Sequence, residues 1–196
     1  MQSPIESGAA DAGAAAVVGV LLAAGGGTRY GMPKILAEQG EWLRAGVAAL
    51  TAGGCGRVFV TMGAAEAEMP RGAEAVRVPT WDRGLSESVR GGLVRALDCE
   101  NVVGVVLHVV DIPDVSAPQV ERLLSAAGPT PGSLARVSHF GHIGHPVYIG
   151  ADHLGPVLDS LTGDRGAGPY FAGRHDVIEV ECGDLGTGTD HDFPRR

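Results

Sequence analysis

The chain has 196 residues, of which 44% are hydrophobic and 19% charged, with a formal net charge of −8. That length suits one compact domain with a sizeable core and falls short of two of ordinary size, and the acidic balance argues against a nucleic-acid-binding surface. Cys55, Cys99 and Cys182 are odd in number and show no CxxC spacing, which fits neither a disulfide framework nor a zinc knuckle; a reducing cytoplasm is the expected location.

Residues 1–16 are rich in Ala, Gly and Ser and are expected to form a disordered tail, with one domain over 17–196. The apolar run 14–24 lacks the basic segment that precedes a signal-peptide core, and no stretch approaches the roughly 20 apolar residues of a membrane helix. Residues 17–22 are β-branched and continuously apolar, as expected of a parallel strand covered on both faces. A Gly-rich loop follows at once. Helical spacing over 42–51 ends in Gly53-Gly54, a stop signal, and 57–61 is the next strand. Strand 73–78, amphipathic helix 86–97 and the nearly all-apolar strand 102–110 complete a β-α-β alternation that predicts a doubly wound α/β sheet. Beyond it come a helix over 117–127, two strand-like runs at 133–138 and 145–149 joined by 139–144 as a hairpin-like excursion, a helix over 151–161, a Gly-rich stretch at 163–168 and a strand at 177–180.

The strongest chemical signal is Leu22-Ala23-Ala24-Gly25-Gly26-Gly27-Thr28-Arg29-Tyr30-Gly31-Met32-Pro33-Lys34. A buried strand running into successive glycines leaves backbone N–H groups unpaired and lets the chain approach a phosphate closely, while Arg29 and Lys34 add fixed positive charge. This is the chemistry of a polyphosphate cradle. It is neither a P-loop, because Met32-Pro33 follow Gly31, nor a dinucleotide fingerprint, because Tyr30 stands where the last glycine belongs. Asp111 ends the central apolar strand, so its carboxylate should emerge beside this loop and serve a Mg²⁺ ion, which takes one or two carboxylates plus phosphate oxygens. The competing reading of Asp111 is a turn cap before Pro113. Ser86, near the start of a helix, reads first as an N-cap. His139-x-x-His142-x-x-His145 invites a metal reading, but period-three spacing across strand, turn and strand does not place the three rings on one face.

At these residues the sequence resembles the molybdopterin-nucleotidyltransferase-like group, whose signature is close to Leu-Ala-Ala-Gly-x-x-x-Arg-x-Gly-x-x-Lys. The resemblance continues in Gly84-Leu85-Ser86-Glu87-Ser88, Asp111-Ile112-Pro113, Gly144-His145-Pro146-Val147 and Gly163-Asp164-Arg165-Gly166-Ala167, from about Val17 to Pro194. It implies a three-layer α/β/α, Rossmann-like nucleotide-diphospho-sugar transferase fold. It also implies a Mg²⁺-dependent transfer of a nucleotide from its triphosphate to a phosphate of molybdenum cofactor. Ala24 and the Ser86-x-Ser88 pair are similar to the cytidylyl branch, which implies CTP and a molybdopterin-type acceptor. By the same resemblance Leu85 and Ser86 lie against base and ribose and His145 lines the cleft, while Arg165 either holds the pterin-side phosphate or pairs with Asp164 on the surface. The tail Thr189-Asp190-His191-Asp192-Phe193-Pro194 resembles the family's closing Asp-x-Asp-Thr-Pro segment, so Asp190 or Asp192 is expected as the second metal ligand, with Phe193 in place of the Thr. Some relatives in the group are pigment-reducing oxidoreductases on nicotine-derived compounds, against which the missing dinucleotide fingerprint stands. A non-enzymatic factor that delivers molybdenum cofactor to a client molybdoenzyme is the other alternative.

Overall fold

A computed structural model describes residues 16–193, so the tail expected over 1–16 lies, apart from Ala16, outside the described residues. Ala16 itself opens the first strand.

Seven strands, β1 (Ala16–Leu22), β2 (Arg57–Met62), β3 (Ala73–Arg77), β4 (Val102–Val109), β5 (Leu134–His139), β6 (His142–Gly150) and β7 (Val177–Glu181), form one sheet in the order β3-β2-β1-β4-β6-β5-β7. β6 alone runs antiparallel to its neighbours β4 and β5. Helices α1 (Ala37–Ala52) and α3 (Ala117–Ala127) cover one face, and α2 (Leu85–Leu97) and α4 (Ala151–Ser160) the other. Alternation along β1 explains its unbroken apolarity: Val18, Val20 and Leu22 enter the core with Val89 and Leu93 of α2, whereas Val17 and Leu21 enter the core with Val47 and Leu50 of α1. The α/β architecture expected from the alternation is present, with helices on both faces of a mostly parallel sheet.

Several boundaries differ from expectation for local reasons. Glu38, Gln39 and Gly40 take left-handed φ angles of 47°, 56° and 80°, so α1 is kinked before Trp42. The segment 139–144 is a hairpin, as expected, but a tighter one: Phe140 and Gly141, at φ 52° and 79°, turn the chain in two residues and let β5 and β6 extend to His139 and His142. Glu181 of β7 locks that hairpin, because its carboxylate accepts hydrogen bonds from the N–H groups of Phe140 (2.8 Å), Gly141 (3.3 Å) and Gly183 (2.8 Å) and from the Ser138 hydroxyl (3.0 Å). A four-residue helix, α5 (Gly168–Phe171), follows α4 where no helix was expected. No helix among the described residues is long and apolar enough to cross a membrane.

Candidate active site

The parallel strands β1, β2 and β4 end at one edge, where open α/β sheets bind ligands. There the Gly-rich loop is held from three sides. The Ala23 N–H donates to the buried Thr61 hydroxyl of β2 (3.2 Å), the Ala64 N–H to the Ala24 carbonyl (2.9 Å), and the Val110 N–H to the Leu22 carbonyl (3.1 Å). Tyr30 anchors the far end in the core, 5.2 Å from Trp42. Gly27 is fixed by geometry: its φ is +61°, and a Cβ there would come within 1.9 Å of the Met32 carbonyl oxygen. Gly25 faces open space, with no heavy atom within 4 Å of a would-be Cβ.

This loop walls a cavity of about 450 Å³. Leu22, Ala23, Ala24, Gly25, Gly26, Gly27, Arg29, Lys34 and Asp111 line it, and so do Leu85, Trp81, Asp82, Ser88, Asp164 and Asp192. At its charged wall the Lys34 ammonium bonds both Asp111 (2.8 Å) and Asp192 (2.9 Å), and Asp192 also pairs with Arg29 (2.6 Å). Burial alone would lower the Lys34 pKa, but the bonds to Asp111 and Asp192 outweigh it and hold the ammonium above its ordinary value. The Lys34 hydrogen bond, reinforced by the charges of Lys34 and Arg29, holds the Asp192 carboxyl below the usual Asp range.

Asp192 reaches this place through a laced tail. The Asp114 carboxylate accepts from the Thr187 N–H and hydroxyl (both 2.7 Å), the His191 N–H donates to the Asp111 carbonyl (2.9 Å), and the His191 ring packs 5.3 Å from Trp42. The structure therefore brings Asp192, not Asp190, to Asp111; Asp190 is exposed and outside the cavity lining.

Other expected residues fall elsewhere. Gly84, at φ 120°, is the N-cap of α2; Ser86 makes no capping bond but is buried, its N–H donating to the Gly163 carbonyl (3.0 Å), and Ser88 takes the place on the lining. Arg165 is exposed off the cavity in the turn bridged by Thr162 and itself, while its neighbour Asp164 faces in. His145 is half-buried outside the lining: its Nδ1–H donates to the Leu107 carbonyl (3.3 Å), and desolvation, partly offset by that carbonyl and by Asp111, lowers its pKa. Its neighbour His108 is fully buried, and burial pushes its pKa down to about 3. The His139, His142, His145 series does not converge, and no cluster of three or more His, Cys, Asp or Glu side chains arranged for a metal occurs among the described residues. Trp81 and Asp82 carry no motif signal in the sequence and enter the wall only through the turn that holds them, whereas Asp164 belongs to the Gly163–Ala167 motif and lines the wall in place of the expected Arg165.

A glycine-lined cavity at a strand switch, with a cation pair and a carboxylate pair at one wall, defines a nucleotide-handling α/β enzyme. The chain belongs to the family described as the MobA-like NTP transferase domain, whose model matches residues 19–178, and it is thereby a nucleotidyltransferase. It is 33% identical over 190 residues to the nicotine blue oxidoreductase of Paenarthrobacter nicotinovorans, a match covering 90% of this chain and 92% of that protein. Among solved structures it is similar to Rv0371c from Mycobacterium tuberculosis H37Rv (TM-score 0.74, 27% identity, 92% and 95% of the two chains). A homologue of Rv0371c from Mycobacterium sp. strain JC1 matches with TM-score 0.76 at 29% identity over 90% of each chain. A manganese complex of Rv0371c matches with TM-score 0.67 at 26% identity, over 90% of this chain and 94% of that one.

Proposed function

We propose that the protein transfers CMP from CTP to a phosphate of a molybdopterin-type acceptor, with Mg²⁺ and release of pyrophosphate. The observation that carries the reading is the Lys34 ammonium clasped between Asp111 and Asp192 at the foot of the Gly-rich loop. An ammonium bonded to two carboxylates stands where a divalent cation fits, and two carboxylates completed by phosphate oxygens and water are the ligand set Mg²⁺ prefers. Asp111 and Asp192 would hold the ion, which when bound supplies charge neutralisation at the α-phosphate.

The protein's own groups do the rest by position. The Gly25–Gly27 backbone admits the triphosphate to the loop, and Lys34, freed from its carboxylates, and Arg29 stabilise the negative charge that builds on the β- and γ-phosphates. An acceptor phosphate oxygen attacks the α-phosphorus, the bond from that phosphorus to the bridging oxygen of pyrophosphate breaks, and no protein nucleophile is needed. Ala24, buried and on the cavity wall, and Ser88 support the cytidylyl assignment through the family resemblance. The test incubates the protein with Mg²⁺, a molybdopterin-type acceptor and each of the four triphosphates and measures pyrophosphate. Release with CTP foremost is expected, and release with GTP foremost removes the cytidylyl assignment.

A second reading is favoured by the likeness to the nicotine blue oxidoreductase: NAD(P)H-dependent reduction of a heteroaromatic pigment. Loss of nicotinamide absorbance with such a pigment, without pyrophosphate release from any triphosphate, would decide for it.

A further inference from the structure

Phosphate chemistry leaves one wall of the cavity unexplained. Trp81 sits in a short 3-10 turn, Trp81–Arg83, held by hydrogen bonds from its N–H to the Val78 carbonyl (3.2 Å) and from the Gly84 N–H to its own carbonyl (3.3 Å). Its side chain fills the space of two absent side chains. A Cβ on Gly63 would come within 2.4 Å of the Trp81 Cγ, and one on Gly26 within 3.2 Å of Cζ3. The pyrrole end of the indole thus backs on the residue that follows β2, and the benzo end reaches the Gly-rich loop itself.

The ring is only half-buried and lines the cavity together with Leu85, a large apolar side chain left 41% exposed, and Ser88. The ion-paired groups come from other segments, Arg29 and Lys34 of the loop, Asp111 after β4 and Asp192 of the tail. The cavity therefore has a wall of paired charges suited to phosphates and a second wall whose largest groups are an indole and a leucine, flanked by the carboxylates Asp82 and Asp164. A phosphate alone gains nothing from that second wall. A planar heterocycle joined to the phosphates would cover it, since stacking on an aromatic ring is available to every base through its π-face.

We infer that Trp81 is the platform on which the base of the bound nucleotide packs, and that the glycines at 26 and 63 are what let the indole lie there. The inference rests on the nucleotidyltransferase reading and adds to it a residue that sets how much of the affinity comes from the base. Because stacking is tolerant of base identity, Trp81 raises affinity for all four triphosphates together and leaves the choice among them to the polar groups of the wall.

The experiment compares CTP with inorganic tripolyphosphate, each with Mg²⁺, by calorimetry and by tryptophan fluorescence on the full chain. Trp42 and Trp81 are the two tryptophans. In the parent, CTP should quench emission and tripolyphosphate should not, and Trp81→Phe should remove the quench while keeping most of the CTP affinity. Trp81→Ala should weaken CTP by about 5- to 150-fold, the range of base stacking on an aromatic side chain, and leave tripolyphosphate within about twofold. Equal weakening of both ligands in Trp81→Ala would make the indole a buttress of the Gly-rich loop and overturn the inference, as would a quench that survives in Trp81→Phe. If the parent binds no triphosphate at all, the nucleotidyltransferase reading falls as well, an outcome distinct from equal weakening.

Discussion

Replacing Lys34 by Ala should move metal affinity and triphosphate affinity in opposite directions. The ammonium lies 2.8 Å from an Asp111 oxygen and 2.9 Å from an Asp192 oxygen, so those two oxygens are less than about 6 Å apart with one cation between them. Two unit charges about 6 Å apart repel by roughly 3 kcal/mol at an effective dielectric of 20, and the carboxylates are about a quarter exposed, which reduces the figure to about 2 kcal/mol. Removing the ammonium leaves this repulsion for a divalent ion to relieve, and spares that ion the work of displacing Lys34. Mn²⁺ should therefore bind the variant roughly 30-fold more tightly than the parent in the absence of nucleotide. Triphosphate should bind roughly 10- to 100-fold more weakly, as expected when a charged hydrogen-bond donor is removed. Titration of Mn²⁺ followed by electron paramagnetic resonance, with calorimetry for CTP, measures both. A Mn²⁺ affinity that stays level or falls in Lys34→Ala would show that the carboxylate pair is not the metal site and would refute the argument.

Asp111→Asn and Asp192→Asn should each lower turnover by roughly 100-fold or more with the fold kept, whereas Asp190→Asn should stay within about twofold; steady-state pyrophosphate release compares the three. Gly27→Ala forces a side chain into the Met32 carbonyl at a left-handed φ, and nucleotide affinity should drop by at least about tenfold in an equilibrium titration, with a near-parental affinity counting against the loop geometry. Tyr148→Phe removes a buried hydroxyl that bonds the Val103 and Thr130 carbonyls at 3.0 and 3.1 Å, and should cost about 1–2 kcal/mol in chemical denaturation without changing activity. The bonds that the Glu181 carboxylate accepts, first from Phe140 and Gly183, pull its pKa down to about 2. Because the folded value is depressed, the hairpin lock is complete above the ordinary Glu value near about 4.3 and is lost as pH falls toward 2, so the Phe140 and Gly141 amide resonances should titrate near 2 and not near 4.

What was legible in the sequence was whatever a local pattern dictates. β1 and β4 announce themselves because both faces of each are covered, which selects apolar residues at both parities with the buried His108 of β4 as the exception, and β1 fixes where the glycines of the loop must fall. Asp111 is legible as the first acidic residue after an apolar strand. The second carboxylate could not be chosen this way. Asp190 and Asp192 sit in an irregular tail whose path is set by Asp114 gripping Thr187 and by His191 packing on Trp42, contacts between residues far apart in the chain. The same holds for Ser86, whose family motif says nothing of the Gly163 carbonyl that draws its backbone in, and for Arg165, turned outward by a bridge to Thr162 that brings Asp164 inward instead. Trp81 was illegible because its position depends on the emptiness of Gly26 and Gly63, and a sequence does not reveal what an absent side chain makes room for.

The pairing of Arg29 and Lys34 with Asp111 and Asp192 bears on how fast substrate arrives. Its two cations are matched by Asp111 and Asp192, two further carboxylates, Asp82 and Asp164, stand on the lining, and the protein around it carries a net charge of −8. A polyanionic nucleotide therefore meets a chain of its own sign and a cavity lined by more carboxylates than cations, and the encounter should be slower than for an uncharged pair of the same size. Added salt shortens the range of that repulsion, so the association rate constant should rise with ionic strength, the reverse of the behaviour of enzymes that draw their substrates in by long-range attraction.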